Sequence, residues 1–520
     1  MTPEPLMTDA VARLRRWAAE RADATLLRTR GRAYTYADME ARATRVAAAL
    51  LAAAGHRGAR VALVLEEYDQ FFVCMLGAWL AGQVVVPLNT SLPQHDVELL
   101  LGKSQPDVIV LPDDGTCPTP DGGPVRLVVT ADADGLVDGV RAAGGNQLGD
   151  GLGCRRQAAP AAEHAALEAV REDEQAMIMF TSGTTGLPKG VCQTLRAVSS
   201  NAGNVAWTLG LGAEDRIFIN TPPYFTSGIC HFLTLLANGG GVAGQLGFYF
   251  GSGLLDAMEA EGCTGFGGAP AHLVRVVEPM EEPRAHPFRF WVSSGDHLPL
   301  PVIEKFHAML PGIRLFNMYG LTEVSGRLCI LPPAELDVRV GSVGRPIGDM
   351  RVVARRGDLT EAAPGEQGEL YVTGSLLMLG YLDEPEITAR TLTAQGLKTG
   401  DFGKVDETGA VWIAGRKDDI IKRGGEKVSI IHVQEALQGL GRFADVAVVA
   451  APDEILGHVP VAFVVPNDPD GFRASKLLRE LRGVLPSTSL PSRVIAVAAI
   501  PRTGSGKAIR AELRALLAEE

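Results

Sequence analysis

Hydrophobic positions along the chain alternate between two kinds of run. Short β-branched runs occupy residues 60–65, 84–88, 107–111 and 125–130, and alanine-rich stretches with helical spacing occupy residues 36–54 and 92–102. Strands and helices that alternate in this way build parallel sheets covered by helices. The pattern therefore predicts an α/β fold, arranged in layers, for the N-terminal part of the chain.

The longest apolar run, residues 71–87, is interrupted by Gly77, Gly82 and Gln83. Because a membrane-spanning helix needs about 20 predominantly apolar residues, this run predicts a buried helix that leads into a strand at residues 83–87. Residues 1–22 lack the basic-then-apolar order of a signal peptide and predict a polar amphipathic helix.

The pattern changes after Gly341. Short strands around Val352 and at residues 368–372 and 411–415 are separated by glycine turns, which predicts a small antiparallel β unit. Beyond the charged segment 415–425, strands at residues 444–450, 460–465 and 494–498 and a helix at 476–485 predict a compact module. Since 520 residues exceed the size of a single core, we predict two domains. Residues 1–417 form a large N-terminal domain of layered α/β subdomains plus the β unit, and residues 418–520 form a smaller C-terminal α+β domain.

Charge and cysteine content narrow the class of protein. A net charge of −12 argues against nucleic acid or an anionic membrane as the main partner, so an anionic ligand must be held by a local cluster of donors. The cysteines are scattered singly without a CxxC pair, which favours buried, reduced thiols in a cytoplasmic protein over a zinc site or a disulfide framework. They are Cys74, Cys117, Cys154, Cys192, Cys230, Cys263 and Cys329.

A donor-rich loop follows the apolar run at residues 177–180. The segment TSGTTGLPKG, residues 181–190, combines hydroxyls, a lysine and glycines that let several N–H groups point into one concavity. This composition favours a polyphosphate site over a plain surface turn. The predicted phosphate-binding residues are Thr181, Ser182, Gly183, Thr184, Thr185, Gly186 and Lys189.

Two other nucleotide motifs are rejected. A P-loop ends in Gly-Lys-Ser/Thr, whereas here Pro188 precedes Lys189 and Gly190 follows it. The sequence GGGVAG at residues 239–244 fits the dinucleotide pattern GxGxxG, but it follows a helical stretch rather than a strand.

The loop resembles the phosphate loop of the adenylate-forming superfamily, which includes acyl- and aryl-CoA synthetases, peptide-synthetase adenylation domains and luciferases. Further segments resemble that family's motifs in the same order, so the resemblance covers residues 20–515. They are NMYGLTE at 317–323, GSVGRP at 341–346, GEL at 368–370, GY at 380–381, TGD at 399–401, GRKDDIIK at 415–422 and PRTGSGK at 501–507.

The resemblance implies an ATP- and Mg²⁺-dependent reaction in which a carboxylate attacks the α-phosphate of ATP, forms acyl-AMP and releases pyrophosphate. Because two anions must meet, catalysis depends on positioning and charge neutralisation. The resemblance implies that Lys189 binds the β- and γ-phosphates, Thr322 contacts the α-phosphate and Glu323 is the Mg²⁺ ligand. It gives Lys507, on a glycine-flanked loop, the central role of bridging the substrate carboxylate and the α-phosphate.

The same resemblance assigns the nucleoside and the second half-reaction. Tyr319 would stack on adenine, and Asp401 and Arg416 would bind the ribose hydroxyls. The remaining nucleotide-binding positions are Gly295, Asn317 and Gly320. Asp418 would be the hinge about which a mobile C-terminal domain turns, which is domain closure of the hinge type. Gly424 and Gly425 would then leave room for the pantetheine arm of CoA.

The acyl pocket departs from the family pattern. At residues 222–228, PPYFTSG, Phe225 or Thr226 replaces a histidine that is usual there, and Leu195 replaces a second one. The resemblance places in the pocket Phe225, His231, Gly267, Gly268, Ala269 and Met318. An apolar pocket with glycines in its wall suits an aromatic or bulky acid.

Several functions remain open at this stage. The leading interpretation is an ATP-dependent acyl- or aryl-CoA ligase that uses a small carboxylic acid, ATP and CoA. The alternatives are an acyl-AMP ligase that loads the phosphopantetheine of a carrier protein or stops at the adenylate, an enzyme that adenylates a small inorganic acid such as nitrite for condensation with an amine, and a non-catalytic nucleotide-binding protein.

Overall fold

The structure is a computed structural model, and it describes residues 9–112, 125–131, 136–142, 168–181, 188–247, 252–296, 298–416, 420–423, 426–453, 456–502 and 508–518. The helices are α1 Ala10–Glu20, α2 Tyr36–Ala54, α3 Tyr68–Leu80, α4 Gln94–Ser104, α5 Leu195–Leu209, α6 Thr226–Asn238, α7 Ser252–Ala260, α8 Pro270–Val277, α9 Leu300–Met309, α10 Pro385–Thr391, α11 Ile430–Gln438, α12 Ala474–Leu481 and α13 Arg510–Ala518.

The strands follow the predicted alternation. They are β1 Thr25–Thr29, β2 Arg32–Thr35, β3 Arg60–Leu63, β4 Val84–Pro87, β5 Val108–Leu111, β6 Val125–Ala131, β7 Val137–Ala142, β8 Gln175–Thr181, β9 Lys189–Thr194, β10 Arg216–Ile219, β11 Gly241–Gly244, β12 Gly265–Gly268, β13 Phe290–Ser294, β14 Arg314–Tyr319, β15 Cys329–Leu331, β16 Ser342–Pro346, β17 Arg351–Arg355, β18 Gln367–Thr373, β19 Gly380–Tyr381, β20 Leu392–Thr393, β21 Gly396–Val405, β22 Val411–Arg416, β23 Ile420–Arg423, β24 Glu426–Ser429, β25 Phe443–Asp453, β26 Gly457–Pro466 and β27 Arg493–Ala496.

Local sequence signals explain the ends of α2. The Thr35 side chain accepts from the Asp38 N–H at 3.1 Å while the Asp38 carboxylate accepts from the Thr35 N–H at 3.1 Å, which is a capping box. The helix ends at Gly55, whose φ of 76° is readily adopted by glycine. Its buried face packs against α3, which is buried on nearly every side, so the apolar run at 71–87 is a buried helix followed by a strand, as predicted.

Two sheets build the N-terminal part of the chain. In the first, β8, β4, β3, β5 and β6 run parallel, with β9 and β7 antiparallel at either side and β19 beyond β9. In the second, β11, β10, β12, β13 and β14 form a parallel core. The predicted α/β class with largely parallel sheets is confirmed.

The predicted β unit is antiparallel and continues the second sheet. Strand β15 pairs with β14, β16 pairs with β15 and with β22, and β21, β18 and β17 follow in order. The strands of this unit are therefore hydrogen-bonded into one sheet with the parallel core.

The C-terminal residues form a separate sheet in the order β24, β23, β26, β25, with β27 beside β26. Helices α11 and α12 pack on one side of it around Val433, and α13 packs on the other side around Leu513. The boundary predicted between 417 and 418 falls at residues 417–419, outside the described residues, and stays a prediction.

Within the described residues, no helix is long and apolar enough to cross a membrane. The described cysteines are reduced and buried, in agreement with their predicted packing role, and burial raises the pKa of the Cys192 thiol to about 11. Cys117 and Cys154 lie outside the described residues. The rejected GGGVAG motif runs from the end of α6 into β11, so it does not join a strand to a helix.

Candidate active site

The phosphate loop joins two paired strands. Strands β8 and β9 are antiparallel, and Thr181 and Lys189 are partners in their register at the end where the phosphate loop joins the two strands. Residues 182–187 lie outside the described residues, so the predicted positions of Ser182, Gly183, Thr184, Thr185 and Gly186 stay predictions. The hairpin brings both ends of the loop to one place.

Tyr381 connects Lys189 to Glu323. Its hydroxyl donates to Glu323 Oε1 at 2.9 Å, and the Lys189 ammonium lies 5.3 Å from the centroid of its ring. Tyr381 itself is on β19, which pairs with β9. One aromatic side chain therefore positions the loop lysine and the predicted Mg²⁺ ligand beside each other, although they are far apart in sequence.

A short 3₁₀ turn, Thr322–Val324, carries two predicted catalytic residues. The buried Gln193 side chain donates to the Thr322 carbonyl, and the Met378 N–H donates to the Glu323 carbonyl at 2.9 Å. Asn201, on α5, donates its side-chain amide to the carbonyls of Val324 and Arg327 at 3.1 and 2.6 Å. These bonds fix the turn from several elements.

Glycine is required at the start of this turn. A side chain at Gly320 would overlap the carbonyl of Gly326, so the backbone at 320 passes too close to the returning chain for any other residue. Ser325 completes the turn in the left-handed region, with φ of 62°. The predicted nucleotide-binding role of Gly320 therefore has a packing reason beside it.

The nucleoside end is marked by Tyr319 and Asp401. The Tyr319 hydroxyl donates to Asp401 Oδ2, and the Asp401 backbone N–H donates to Thr399 Oγ1 at 3.0 Å. Asp401 and Arg416 are partners across β21 and β22, which places the two predicted ribose-binding residues side by side on the backbone. The Arg416 side chain lies outside the described residues.

The other predicted nucleotide positions lie at the same edge of the sheet. Asn317, on β14, donates its side-chain amide to the Ser342 carbonyl at 3.3 Å. Gly295 directly follows β13, is exposed, has φ of 101°, and faces open space. Since β13 and β14 are parallel neighbours, their carboxyl ends meet where ligands of open α/β sheets bind.

Glu323 fits a magnesium ion that arrives with a nucleotide. Among the described residues there is no cluster of three or more His, Cys, Asp and Glu side chains that could hold a metal. Mg²⁺ is commonly held by one or two carboxylates together with substrate phosphates and waters. A single half-buried carboxylate beside the phosphate loop matches that donor set.

The predicted acyl residues divide between the two faces of β12. A side chain at Gly267 would overlap the His231 ring, whereas one at Gly268 would overlap Phe266, on the opposite face. Ala269 caps α8, where its N–H donates to His272 Nδ1 at 3.1 Å. Phe225 caps α6 and packs against Tyr224. The structure therefore brings His231, Gly267 and Met318 together and directs the Gly268 face elsewhere.

A small cavity of about 10 Å³ lies between α6 and the parallel core. His231 and Met318 line it, together with Cys230 and Arg327, which the sequence analysis did not single out. Burial lowers the pKa of Arg327, and burial first and Arg327 second lower the pKa of His231 to about 3. His231 is therefore neutral at physiological pH. Arg327 stands four residues after the end of the YGLTE motif and directly before an apolar run. This isolated charge was the signal available in the sequence.

The C-terminal site residues lie outside the described residues. These are Lys507, the hinge residue Asp418, and Gly424 and Gly425, and their roles stay predictions. The chain before Lys507 is held by Arg502, whose Nε donates to Asp445 Oδ2 at 2.8 Å. Arg502 also lies within electrostatic range of Asp296, beside Gly295. Arg502 thus lies near the edge of the sheet at which Gly295 lies.

Comparisons with known proteins identify the family and the fold that this chain resembles. The sequence patterns of the AMP-binding enzyme and of the AMP-binding enzyme C-terminal domain match residues 14–382 and 432–507. A long-chain-fatty-acid–CoA ligase of Mycobacterium tuberculosis is 30% identical over 92% of this chain and 92% of its own. A sulfoacetate–CoA ligase of Cupriavidus necator is 30% identical over 93% of this chain and 92% of its own. The structure of o-succinylbenzoate CoA synthetase from Bacillus subtilis with ATP and magnesium is 25% identical, covers 96% of this chain and 98% of its own, and superposes with a TM-score of 0.81.

Proposed function

Because this chain belongs to the AMP-binding enzyme family and is an AMP-forming acid ligase, we propose that it converts an aromatic or bulky carboxylic acid to acyl-AMP and then to a CoA thioester. The observation that carries the proposal is the contact of Tyr381 with both Lys189 and Glu323. It assembles a cation and a single carboxylate at the base of the phosphate loop, as the phosphates of Mg²⁺–ATP require.

In the first half-reaction, a carboxylate oxygen of the acid forms a bond to the α-phosphorus while the bond from that phosphorus to the bridging oxygen of pyrophosphate breaks. Lys189 neutralises charge on the β- and γ-phosphates, and Thr322 orients the α-phosphate. Glu323 would hold Mg²⁺, which supplies further charge neutralisation on the phosphates when it is bound. Lys507 brings the acid and the α-phosphate together. These roles account for catalysis by positioning and electrostatics.

In the second half-reaction, the thiol of CoA attacks the acyl carbonyl and AMP leaves. We propose that Asp418 is the hinge and that the backbone at Gly424 and Gly425 passes the pantetheine arm. The two relatives described above are CoA ligases by name, which supports CoA over a carrier protein, an amine or no acceptor.

Val292 and Met318 make part of the wall of the small cavity apolar, and this supports an apolar or aromatic body of the acid beside them. Gly267 does not widen the pocket for a bulky acid, because the His231 ring occupies the space beside it. The relatives act by name on acids as different as a long-chain fatty acid and sulfoacetate. Their names therefore do not identify the acid, and the residues of this pocket are the guide to it.

The test is acid-dependent exchange of labelled pyrophosphate into ATP over a panel of aromatic and aliphatic acids, followed by mass spectrometry with and without CoA. We expect exchange without CoA and a thioester only with CoA. Exchange without any thioester would refute CoA as the acceptor while leaving adenylation standing. The absence of exchange with every acid, in protein that still binds ATP, would refute the adenylation proposal.

A further inference from the structure

Arg327 is a buried guanidinium that has no counter-ion among the residues the structure describes. Its side chain is part of a residue only 7% exposed, and its Nη1 reaches only the Gly326 carbonyl, at 3.5 Å. Its Nη2 is buried and has no hydrogen-bond partner in the described part of the chain. Among the described residues, no Asp or Glu forms an ion pair with it. A buried arginine is normally paired with an acid, because removal of the charge from water is otherwise uncompensated.

A second unpartnered donor lies in the same cavity. His231 is 5% exposed, and its Nε2 is buried without a hydrogen-bond partner. Both residues line the cavity beside Cys230 and Met318. The neutral His231 ring can donate one hydrogen bond from Nε2 without adding a second positive charge to the site. Two polar groups, each more than nine-tenths buried, thus offer donors to one small apolar-walled space.

The described neighbours do not satisfy these donors. The thiol of Cys230 is used, because its Sγ donates to the Ser325 carbonyl at 3.4 Å. The Thr234 hydroxyl likewise donates to the Cys230 carbonyl at 2.7 Å. A single water molecule, for which the cavity has room, cannot neutralise a guanidinium, and a larger anionic group enters the cavity only when the lining side chains move apart. An anion, which a forked guanidinium binds with two parallel hydrogen bonds, would satisfy the site.

We propose that the acid activated by this enzyme carries a second anionic group, a carboxylate or a sulfonate, and that Arg327 and His231 bind that group at the inner end of the acyl pocket. The inference rests on the proposed function and names its substrate class as an acid with two anionic ends. One end reacts at the turn that carries Thr322. The other end pairs with Arg327, five residues further along the same chain segment.

The first experiment measures binding without chemistry. Thermal unfolding is recorded in the absence of ATP with benzoate and its three carboxylated analogues, phthalate, isophthalate and terephthalate, with butyrate and succinate, and with pentanoate and glutarate. We expect at least one dianionic acid to raise the unfolding temperature of the wild type more than its matched monoanion does. The Arg327→Met variant should lose that shift, and the Arg356→Met variant, which removes an exposed arginine paired with Glu366, should retain it.

The second experiment measures selectivity in pyrophosphate exchange with the same acids. In the wild type, kcat/KM for the preferred dianion should exceed that for its monoanion by about tenfold or more, because a site built for a polar group rejects the analogue without it. Arg327→Met should lower the value for the dianion by about 100-fold while leaving that for the monoanion within a few-fold. Arg327→Lys keeps the charge without the forked guanidinium. Its kcat/KM for the dianion should lie between that of the wild type and that of Arg327→Met.

A merely structural role predicts different results. If Arg327 stabilised the fold, Arg327→Met would unfold at a lower temperature and lose activity equally on both kinds of acid. We expect it instead to unfold at the same or a higher temperature, since it removes an unpaired buried charge. Preference of the wild type for the monoanion in every pair, or an equal loss on both acids in a folded variant, would overturn the proposal. If no acid supports exchange, the proposed function fails, and the thermal shifts still decide whether Arg327 binds an anion.

Discussion

The hydroxyl of Tyr319 donates a hydrogen bond to the carboxylate of Asp401. The two residues lie on β14 and β21, which are separated in the sheet by β15, β16 and β22. Strands so far apart bring side chains into contact only if the sheet curls back on itself, which follows from its twist. The contact therefore joins the end of the parallel core to the antiparallel extension and aligns the residues proposed for adenine and ribose.

This contact predicts unequal effects on ATP binding. Asp401→Asn should raise the KM for ATP by about tenfold or more, because it removes charge-assisted hydrogen bonds to the ribose. Tyr319→Phe keeps the ring that would stack on adenine and should raise the KM only a few-fold. Steady-state pyrophosphate exchange at varied ATP concentrations measures both. If both changes raised the KM for ATP equally, the hydroxyl of Tyr319, and not only its ring, would be required for nucleotide binding.

Magnesium dependence should report on Glu323. Glu323→Gln should raise the Mg²⁺ concentration needed for half-maximal exchange by about tenfold, since a neutral amide is a poorer ligand for a hard cation. Tyr381→Phe, which removes the hydrogen bond to the Glu323 carboxylate, should raise it less, because the carboxylate remains. The check is a Mg²⁺ titration at fixed ATP concentration. An unchanged requirement in Glu323→Gln would remove this residue from the metal site.

Adenylation should depend on the C-terminal lysine. Lys507→Ala should lower the rate of pyrophosphate exchange by about 100-fold or more while the unfolding temperature stays within a degree or two, because the change removes a bridging charge rather than a core contact. Lys476→Ala, an exposed lysine of α12 in the same domain, is the matched control and should leave the rate unaltered. Near wild-type exchange in Lys507→Ala would show that the role assigned to Lys507 is wrong.

Acid sensitivity should trace to His231. Its pKa is lowered by burial from 6.5 to about 3, so the unfolded chain takes up a proton at this residue between those values while the folded chain does not. Its contribution to stability is therefore complete above about pH 6.5 and is lost as the pH falls towards 3. A pKa difference of that size lowers the free energy of unfolding by about 2 kcal/mol as the pH falls from 7 to 5.

Replacement by a group that does not titrate should remove that part of the pH dependence. Urea unfolding at pH 7 and pH 5 should show a smaller loss for His231→Gln than for the wild type, even if the variant is less stable at both values. His95→Gln, which changes a highly exposed histidine, should lose as much as the wild type. The same loss in all three proteins would mean that His231 is not buried in its neutral form.

Local signals along the chain predicted several of the helices and strands. The bounds of α2 follow from a capping box at Thr35 and Asp38 and a glycine at 55, all of which are readable in sequence. The residues proposed for the ATP site were selected because they stand in ordered motifs. Lys189 and Glu323 then proved to share Tyr381 as a neighbour, although nothing local in the sequence places them together.

Long-range pairing and polar contacts between elements could not be predicted in this way. The pairing of β16 with β22 joins residues about seventy positions apart, and periodicity carries no information on such partners. Asn201 and Gln193 look like ordinary residues of a helix and a strand, and their roles depend on where the turn at 322–324 comes to lie. In the sequence, Arg327 is only one charge before the apolar residues Leu328, Cys329 and Ile330. Its burial, with no Asp or Glu of the described residues beside it, depends on the tertiary structure.

The side chain of Asn201 holds the carbonyls of Val324 and Arg327 at once, and this has a consequence for the size of the substrate. Thr322, proposed to orient the α-phosphate that the acid attacks, and Arg327, proposed to bind the far end of the acid, belong to one segment held by Gln193 and Asn201, so the separation between them is constant. The segment therefore fixes the distance that the acid must span. Among homologous two-ended acids, the enzyme should therefore select one chain length, and a change of one methylene in either direction should cost more than a change in the bulk of the body between the ends.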